Sequence, residues 1–297
     1  VDRRRSGREA FCYGRGSLGV TRSIAMVLQN AISKLIAAGH EAAQSDAEIL
    51  LAYLLGCERL GLHTYPGDLS VSKQLQYDAL ISRRMTGEPT AYITGTQGFW
   101  TLDLKVNEHT LMPRPDTETL VEVVLKRAPT TSARNVLDLG TGSGCILLSL
   151  LAEWPGTQGL GVDMSEGALA VAQDNARNCG VRDRAQFLKS DWFSEVEKPQ
   201  AGFSVIVSNP PYIPAADIAG LMSDVRDYEP LSALDGGSEG LMPYRIIAKQ
   251  APAYLSDNAL LAVEVGIYQA AEVAELFTQN GLQGVEVTQD LGGVDRV

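Results

Sequence analysis

The stretch "NVLDLGTGSGCILLSLLAEW", residues 135–154, decides how the chain is read. Asn135–Leu139, with an acid inside it, is too brief for a helix and reads as a strand. Glycines at 140, 142 and 144 then allow a tight turn, and an apolar run of helical length follows at once. Working outward, "GLGVD" (159–163), "AQFLKS" (185–190), "FSVIVSN" (203–209) and "ALLAVEVG" (259–266) read as further strands. "SEGALAVAQDNARNCG" (165–180) and segments near 243–254 and 268–280 read as helices, with a last strand near 284–289. Strands alternating with helices of this length predict an α/β domain. Its sheet is doubly wound and mostly parallel, Rossmann-like, with helices on both faces.

Upstream the pattern changes. From Val27 to about Met85 apolar residues recur at helical spacing: Leu28, Ile32, Leu35 and Ile36 share a face, and "SDAEILLAYLLG" ends at Gly56. A small N-terminal helical bundle is expected over residues 26–96. Alternation from Phe99 to Val106 predicts a hairpin linker over 97–112, and a helix from Thr117 to Ala128 opens the α/β domain, 113–297. Residues 1–25 are Arg-rich and acid-poor, have no apolar period, and are expected to be a disordered basic leader ahead of Met26. They lack the apolar core of a secretory signal.

The 297 residues carry a formal net charge of −11, against a surface that tracks nucleic-acid phosphates. No run approaches the ~18 uninterrupted apolar residues of a membrane span. Cys12, Cys57, Cys145 and Cys179 are scattered without a C-x-x-C pair, as reduced thiols of a cytoplasmic protein would be. His40, His63 and His109 lack companions at metal-ligand spacing and read as surface or cap residues.

The glycine loop carries the first chemical signal. The dinucleotide fingerprint wants its third glycine, or an alanine, where Cys145 stands. Gly-x-Gly-x-Gly after Asp-Leu is instead the pattern of S-adenosylmethionine (SAM) methyltransferases, with Gly140, Thr141, Gly142, Ser143 and Gly144 around the cofactor. Asp163 ends the next strand, where an acid can hold both ribose hydroxyls. Asp191 ends the third beside Trp192, an acceptor and a ring suited to adenine. Strand-end aspartates also cap helices, so it is the series that points to SAM.

The second signal is "VIVSNPPYIP", 205–214. In a doubly wound sheet the first strand neighbours the fourth, and ligands bind beyond their carboxyl ends. Asn209 therefore faces the glycine loop. A planar amide or aromatic amine is a poor nucleophile and presents two N–H donors. The Asn209 side-chain oxygen and the Pro210 carbonyl can accept both, and Pro210 and Pro211 hold these acceptors rigidly without competing donors. Tyr212 can pack against the flat face of the acceptor group. Asn209, Pro210 and Tyr212 are the candidate catalytic residues, and with Pro211 they form the candidate acceptor site; Asn209 also borders the cofactor.

"NPPY" resembles the amino-nitrogen methyltransferases, and "GEPTAYITGTQGFW" (87–100) with "LMPRPDTETLVE" (111–122) narrows the resemblance to the HemK/PrmC family, the glutamine methyltransferases of peptide chain release factors. The likeness runs from about residue 27 to 297. It implies methyl transfer from SAM to the glutamine of the release factors' Gly-Gly-Gln loop, with the bundle helping to dock that substrate. It places Arg114, Thr117 and Glu118 near the site, although "PDTE" also reads as a helix start capped by Asp116 or Thr117. A metal-free monomer with no stable nucleic-acid partner is expected. Two other functions compete: methylation of a base amino group in RNA or DNA, and a SAM-binding scaffold without catalysis. The acidic surface weighs against the first, and the paired acceptors at Asn209 and Pro210 against the second. Glu264, at the end of "AVEV", reads either as a crevice residue or as a helix cap.

Overall fold

This computed structural model describes residues 22–129 and 134–297. Residues 1–21, most of the expected leader, lie outside them. The fold divides into two compact units, with the division between Thr86 and Gly87.

The first unit is helical. α1 (Ile24–Ala37), α2 (Ala43–Leu55) and α3 (Val71–Met85) bury Val27, Ala31 and Leu35, Leu50 and Leu51, and Tyr77 and Ile81. Two ties hold them in register beyond apolar packing. The Tyr77 hydroxyl donates to the Ala47 carbonyl at 2.7 Å, and Arg84 pairs with Asp46 at 2.7 Å with both side chains buried. Gly56 ends α2 in the left-handed conformation. The expected leader boundary at residue 25 is corrected here. Arg22 bridges to Leu69, and the Ser23 side chain accepts from the Met26 N–H, so the helix is capped ahead of Met26.

The second unit begins with α4 (Thr90–Thr94) and the antiparallel hairpin β1 (Thr96–Phe99) and β2 (Leu102–Lys105). These fall on the side of the α/β domain, so the division precedes the expected 96/97 boundary. Then follow α5 (Glu118–Arg127), β3 (Asn135–Leu139), α6 (Cys145–Glu153), β4 (Gln158–Asp163), α7 (Glu166–Asn178), β5 (Ala185–Lys189) and β6 (Phe203–Ser208). The short α8 (Ser223–Arg226), α9 (Met242–Tyr254), β7 (Leu255–Val263) and α10 (Ala270–Gln279) complete it. The five-stranded sheet is parallel throughout, in the order β5-β4-β3-β6-β7. Strand order therefore reverses at β3, which pairs with both β4 and β6.

Period-two alternation sorts the side chains. Val136, Val205 and Val207 pack with Leu120 and Val124 of α5 and Leu147 and Leu151 of α6. Leu137 and Ile206 pack on the opposite face with Ile247 and Ala251 of α9 and Val273 and Phe277 of α10. No strand forms at 284–289. Instead Gln289 bridges to Asp295, and the Thr288 N–H donates to the Val297 carbonyl at 2.8 Å. Among the described residues no helix is long and apolar enough to cross a membrane.

Candidate active site

The carboxyl ends of β3, β4 and β6 open into one cleft, about 940 Å³ counted out to its mouth, lined by residues of the glycine loop, Asp163, Trp192, Thr117 and Asn209. The loop is held from below. Asp138, fully buried, accepts from the Thr141 hydroxyl at 2.7 Å, and the Thr141 N–H donates to the Val162 carbonyl. Gly140, Gly142 and Gly144 all take positive φ (70°, 56° and 82°). A Cβ at Gly140 or Gly142 would meet no protein atom within 4 Å, so free space lies beside the loop. The packing beneath is tighter. A Cβ at Gly159 would lie 2.5 Å from Leu147, and one at Gly161 2.8 Å from Thr141 Oγ1. Asn175, fully buried in α7, donates to the Ser143 carbonyl (2.9 Å) and exchanges two hydrogen bonds with the Lys105 backbone, tying loop to hairpin.

Asp163 accepts from the Gly142 N–H and the Ser165 N–H, both at 2.9 Å. Burial pushes its carboxyl above the usual range, and these N–H groups oppose the rise. Each oxygen keeps a lone pair beyond these bonds, as a diol partner requires. Burial also pushes the Asp138 carboxyl up to about 7. An adenosyl group fits this set: a glycine loop with free space beside it at a helix N-terminus, a carboxylate at the end of the next strand, and Trp192 at the cleft wall. Asp191 is exposed and is not among the residues lining the cleft; its N–H donates to the Ser194 hydroxyl at 3.2 Å.

The turn after β6 is built differently. Asn209 and Pro211 line the cleft, Pro210 is buried, and Tyr212 is half-buried. Asn209 Nδ2 donates to Thr117 Oγ1 at 3.2 Å, which leaves Oδ1 as the free end of the amide. Three glycines sit against the turn's backbone and ring. A Cβ at Gly236 would come 2.8 Å from the Pro211 carbonyl, at Gly240 2.2 Å from the Tyr212 carbonyl, and at Gly266 2.9 Å from the Tyr212 ring. Gln269 Nε2 donates to the Tyr212 carbonyl (3.0 Å) and the Gly240 carbonyl (3.3 Å). The Tyr212 ring packs into the core, and its hydroxyl lies 3.5 Å from Glu264 Oε1. The ring thus also helps to hold the turn. Burial, and then the Glu264 charge, push the Tyr212 hydroxyl up to about 12, so it stays protonated.

Of the three upstream residues, two reach the cleft. Arg114 lines it and pairs with Glu229, whose side chain is fully buried. Thr117 is buried against Asn209 and its side chain caps no helix. Glu118 instead accepts from the Trp100 N–H at 2.7 Å, pinning the hairpin turn where Trp100 has φ 55°. Glu264 neither lines the cleft nor caps a helix, and it is buried near Thr117, Asn209 and Tyr212. His109 is exposed, as read from the sequence, and also lines the cleft with Leu111 and Met112; a Cβ at Gly167 would meet its ring at 2.5 Å.

With the site defined, comparison with known proteins is decisive. The chain is 47% identical to the release factor glutamine methyltransferase of Rhodospirillum rubrum, over 89% of this chain and 80% of that protein. This chain belongs to the release factor glutamine methyltransferase family. It is also 44% identical to the Geobacter sulfurreducens member, over 87% and 89% of the two chains. A family model described as the PrmC N-terminal domain matches residues 26–95, and one described as the methyltransferase small domain matches 115–222. Among solved structures, the hMettl16 catalytic domain in complex with the MAT2A 3'UTR hairpin 6 superposes with a TM-score of 0.55, at 15% identity, over 76% of this chain and 80% of that one. At that identity the likeness speaks for the fold alone. The family places this chain among the SAM-dependent methyltransferases.

Proposed function

We propose that the chain transfers a methyl group from SAM to the side-chain amide nitrogen of the glutamine in the Gly-Gly-Gln loop of peptide chain release factors. One observation carries the chemistry: Asn209 lines the cleft together with the glycine loop, and with its Nδ2 turned to Thr117 its oxygen is the end left for an acceptor's N–H. The identity shared with enzymes named for this substrate supports the choice of acceptor.

Bound SAM supplies an already electrophilic methyl carbon, so the reaction needs no metal. The glycine loop, Asp163 and Trp192 would hold it in place. Asn209 Oδ1 accepts one N–H of the glutamine amide and the Pro210 carbonyl the other. Satisfying both hydrogens out of the amide plane favours pyramidal character at nitrogen and turns its lone pair toward the methyl carbon. The bond from nitrogen to carbon forms as the carbon–sulfur bond breaks, and the extra proton on nitrogen leaves to water. No strong base is required. Positioning dominates, and well-oriented reactants gain about 7–11 kcal/mol in this way. Pro211, Tyr212, Gln269 and the three glycines keep the acceptors from moving. In the same reading the chain works as a cytoplasmic monomer without a stable nucleic-acid partner; its net charge of −11 supports the last point.

The test is methyl transfer from labelled SAM to four acceptors: a purified release factor, the same factor with its Gly-Gly-Gln glutamine changed to alanine, total RNA, and total DNA. Label on the intact factor alone is expected. Label on RNA or DNA with none on the factor overturns the assignment in favour of base methylation.

A further inference from the structure

Asn209 can accept an N–H only if its amide is turned the right way. The two orientations are nearly equal in shape, so a hydrogen-bond partner must choose between them. Thr117 Oγ1 is that partner, at 3.2 Å, but a hydroxyl can accept from Nδ2 or donate to Oδ1 equally well. Thr117 alone does not decide.

Glu264 stands next in line. It follows β7, is 2% exposed, and its Oε2 has no hydrogen-bond partner among the described residues. Groups from five segments surround it. Thr117 and Asp116 come from the turn leading into α5, and Asn209 and Tyr212 from the turn after β6. Tyr244 of α9 donates to its backbone carbonyl at 2.9 Å, and its own N–H is tied to the Ser208 carbonyl at the end of β6. Arg296, from the C-terminal segment, brings positive charge but is itself paired with Asp290 (3.0 Å) and Asp116 (3.4 Å). No helix cap and no cleft contact accounts for a carboxyl in this place.

We propose that Glu264 is the positioning residue that selects the productive orientation of the Asn209 amide, acting through Thr117. This rests on the methyl-transfer reading of the site. An ionised Glu264 takes the single hydroxyl hydrogen of Thr117. Oγ1 then offers only lone pairs, Asn209 must present Nδ2 to it, and Oδ1 faces the acceptor. A protonated Glu264 donates to Thr117 instead, which frees the hydroxyl hydrogen for Oδ1 and turns the amide's NH₂ toward the acceptor's own N–H donors. That orientation repels the substrate. Burial pushes the Glu264 carboxyl up to about 7, held back by Thr117, Arg296 and Asn209 and raised further by Asp116, so the change falls within the working range of pH.

The experiment combines turnover with a signal independent of substrate. In the full chain, kcat at saturating SAM and release factor is measured from pH 5.5 to 8.5 for the wild type, Glu264→Gln, Thr117→Val and Thr117→Ser. The Asn209 side-chain amide is followed over the same range by nitrogen-15 NMR. The wild type should rise through one deprotonation near pH 7, in both kcat and the amide signal. Glu264→Gln carries a permanent donor, so it should lose that limb and remain about 10- to 100-fold lower in kcat at pH 8 with SAM affinity retained. Thr117→Val should match it, and Thr117→Ser should keep the wild-type profile. A Glu264→Gln enzyme with wild-type kcat, or with the limb intact, overturns the proposal. If the wild type labels no glutamine while the Asn209 amide still titrates, the functional reading falls and this one stands.

Discussion

The two halves of the cleft are assembled by opposite means. The loop after β3 is held largely by near neighbours: Thr141 on Asp138, Gly144 on Thr141, and Asp163 across a single paired strand. The turn after β6 is held from a distance. Thr117 lies 92 residues before Asn209, Glu264 52 residues after Tyr212, and Gln269 57 residues after it. The cofactor half recurs wherever a strand meets a glycine turn and a helix, and needs little else to keep its shape. The acceptor half must hold one amide and one carbonyl to within a fraction of an ångström, so it draws on four other elements. Binding is local here and chemistry is tertiary.

Four substitutions test that contrast, beginning with the acceptor itself. Asn209→Ala should lower kcat by about 10²- to 10³-fold, the size of effect seen when one preorganised polar group is removed from an active site. Circular dichroism should show the fold intact. If turnover survives, the turn is not the acceptor site.

Gly240→Ala comes next. A Cβ there meets the Tyr212 carbonyl at 2.2 Å, on a residue with φ 72°, so the turn or the loop carrying Gly240 must shift. A loss of about 2–4 kcal/mol in urea unfolding is expected, with kcat falling far more than SAM affinity. Equal loss of both would mean that the halves are not separable.

Asp163→Ala attacks the other half. Losing two N–H partners and the ribose contact should weaken SAM by about 10- to 100-fold in calorimetry. At saturating SAM, kcat should change by less than Asn209→Ala changes it.

The smallest effect is on stability against pH. Asp138 and Glu264 both have folded carboxyls raised to about 7, well above their unfolded values. Their ionisation therefore works against the folded state. The stability they allow is fully present below about pH 4 and is lost as pH rises through 7, by at most about 4 kcal/mol at each. Melting at pH 5.5 should exceed melting at pH 8 by a few degrees from this source, and Glu264→Gln should narrow the gap.

The same contrast explains what could be read from the chain alone. The sheet, its reversal at β3 and the glycine loop are written in contiguous residues, and Asn209 could be placed opposite them from strand order alone. For Asp191, strand-end position does not say which way a side chain turns, and the structure shows it exposed with its N–H on the Ser194 hydroxyl. The bond of Thr117 to Asn209 was out of reach, since "PDTE" reads equally as a helix start until tertiary structure supplies the partner. That the Tyr212 ring and hydroxyl also meet Gly266 and Glu264 could be seen only in the tertiary structure. Gly236 and Gly240 resemble loop glycines in sequence, and only the approach of another backbone shows what they are for.

The most direct test is to locate the methyl group. The purified chain is incubated with SAM and a release factor, and the product is mapped by peptide mass spectrometry. The account predicts one methyl on the side-chain nitrogen of the Gly-Gly-Gln glutamine, and none when Asn209→Ala replaces the wild type. A methyl on any other group, or an unchanged yield from Asn209→Ala, would contradict it.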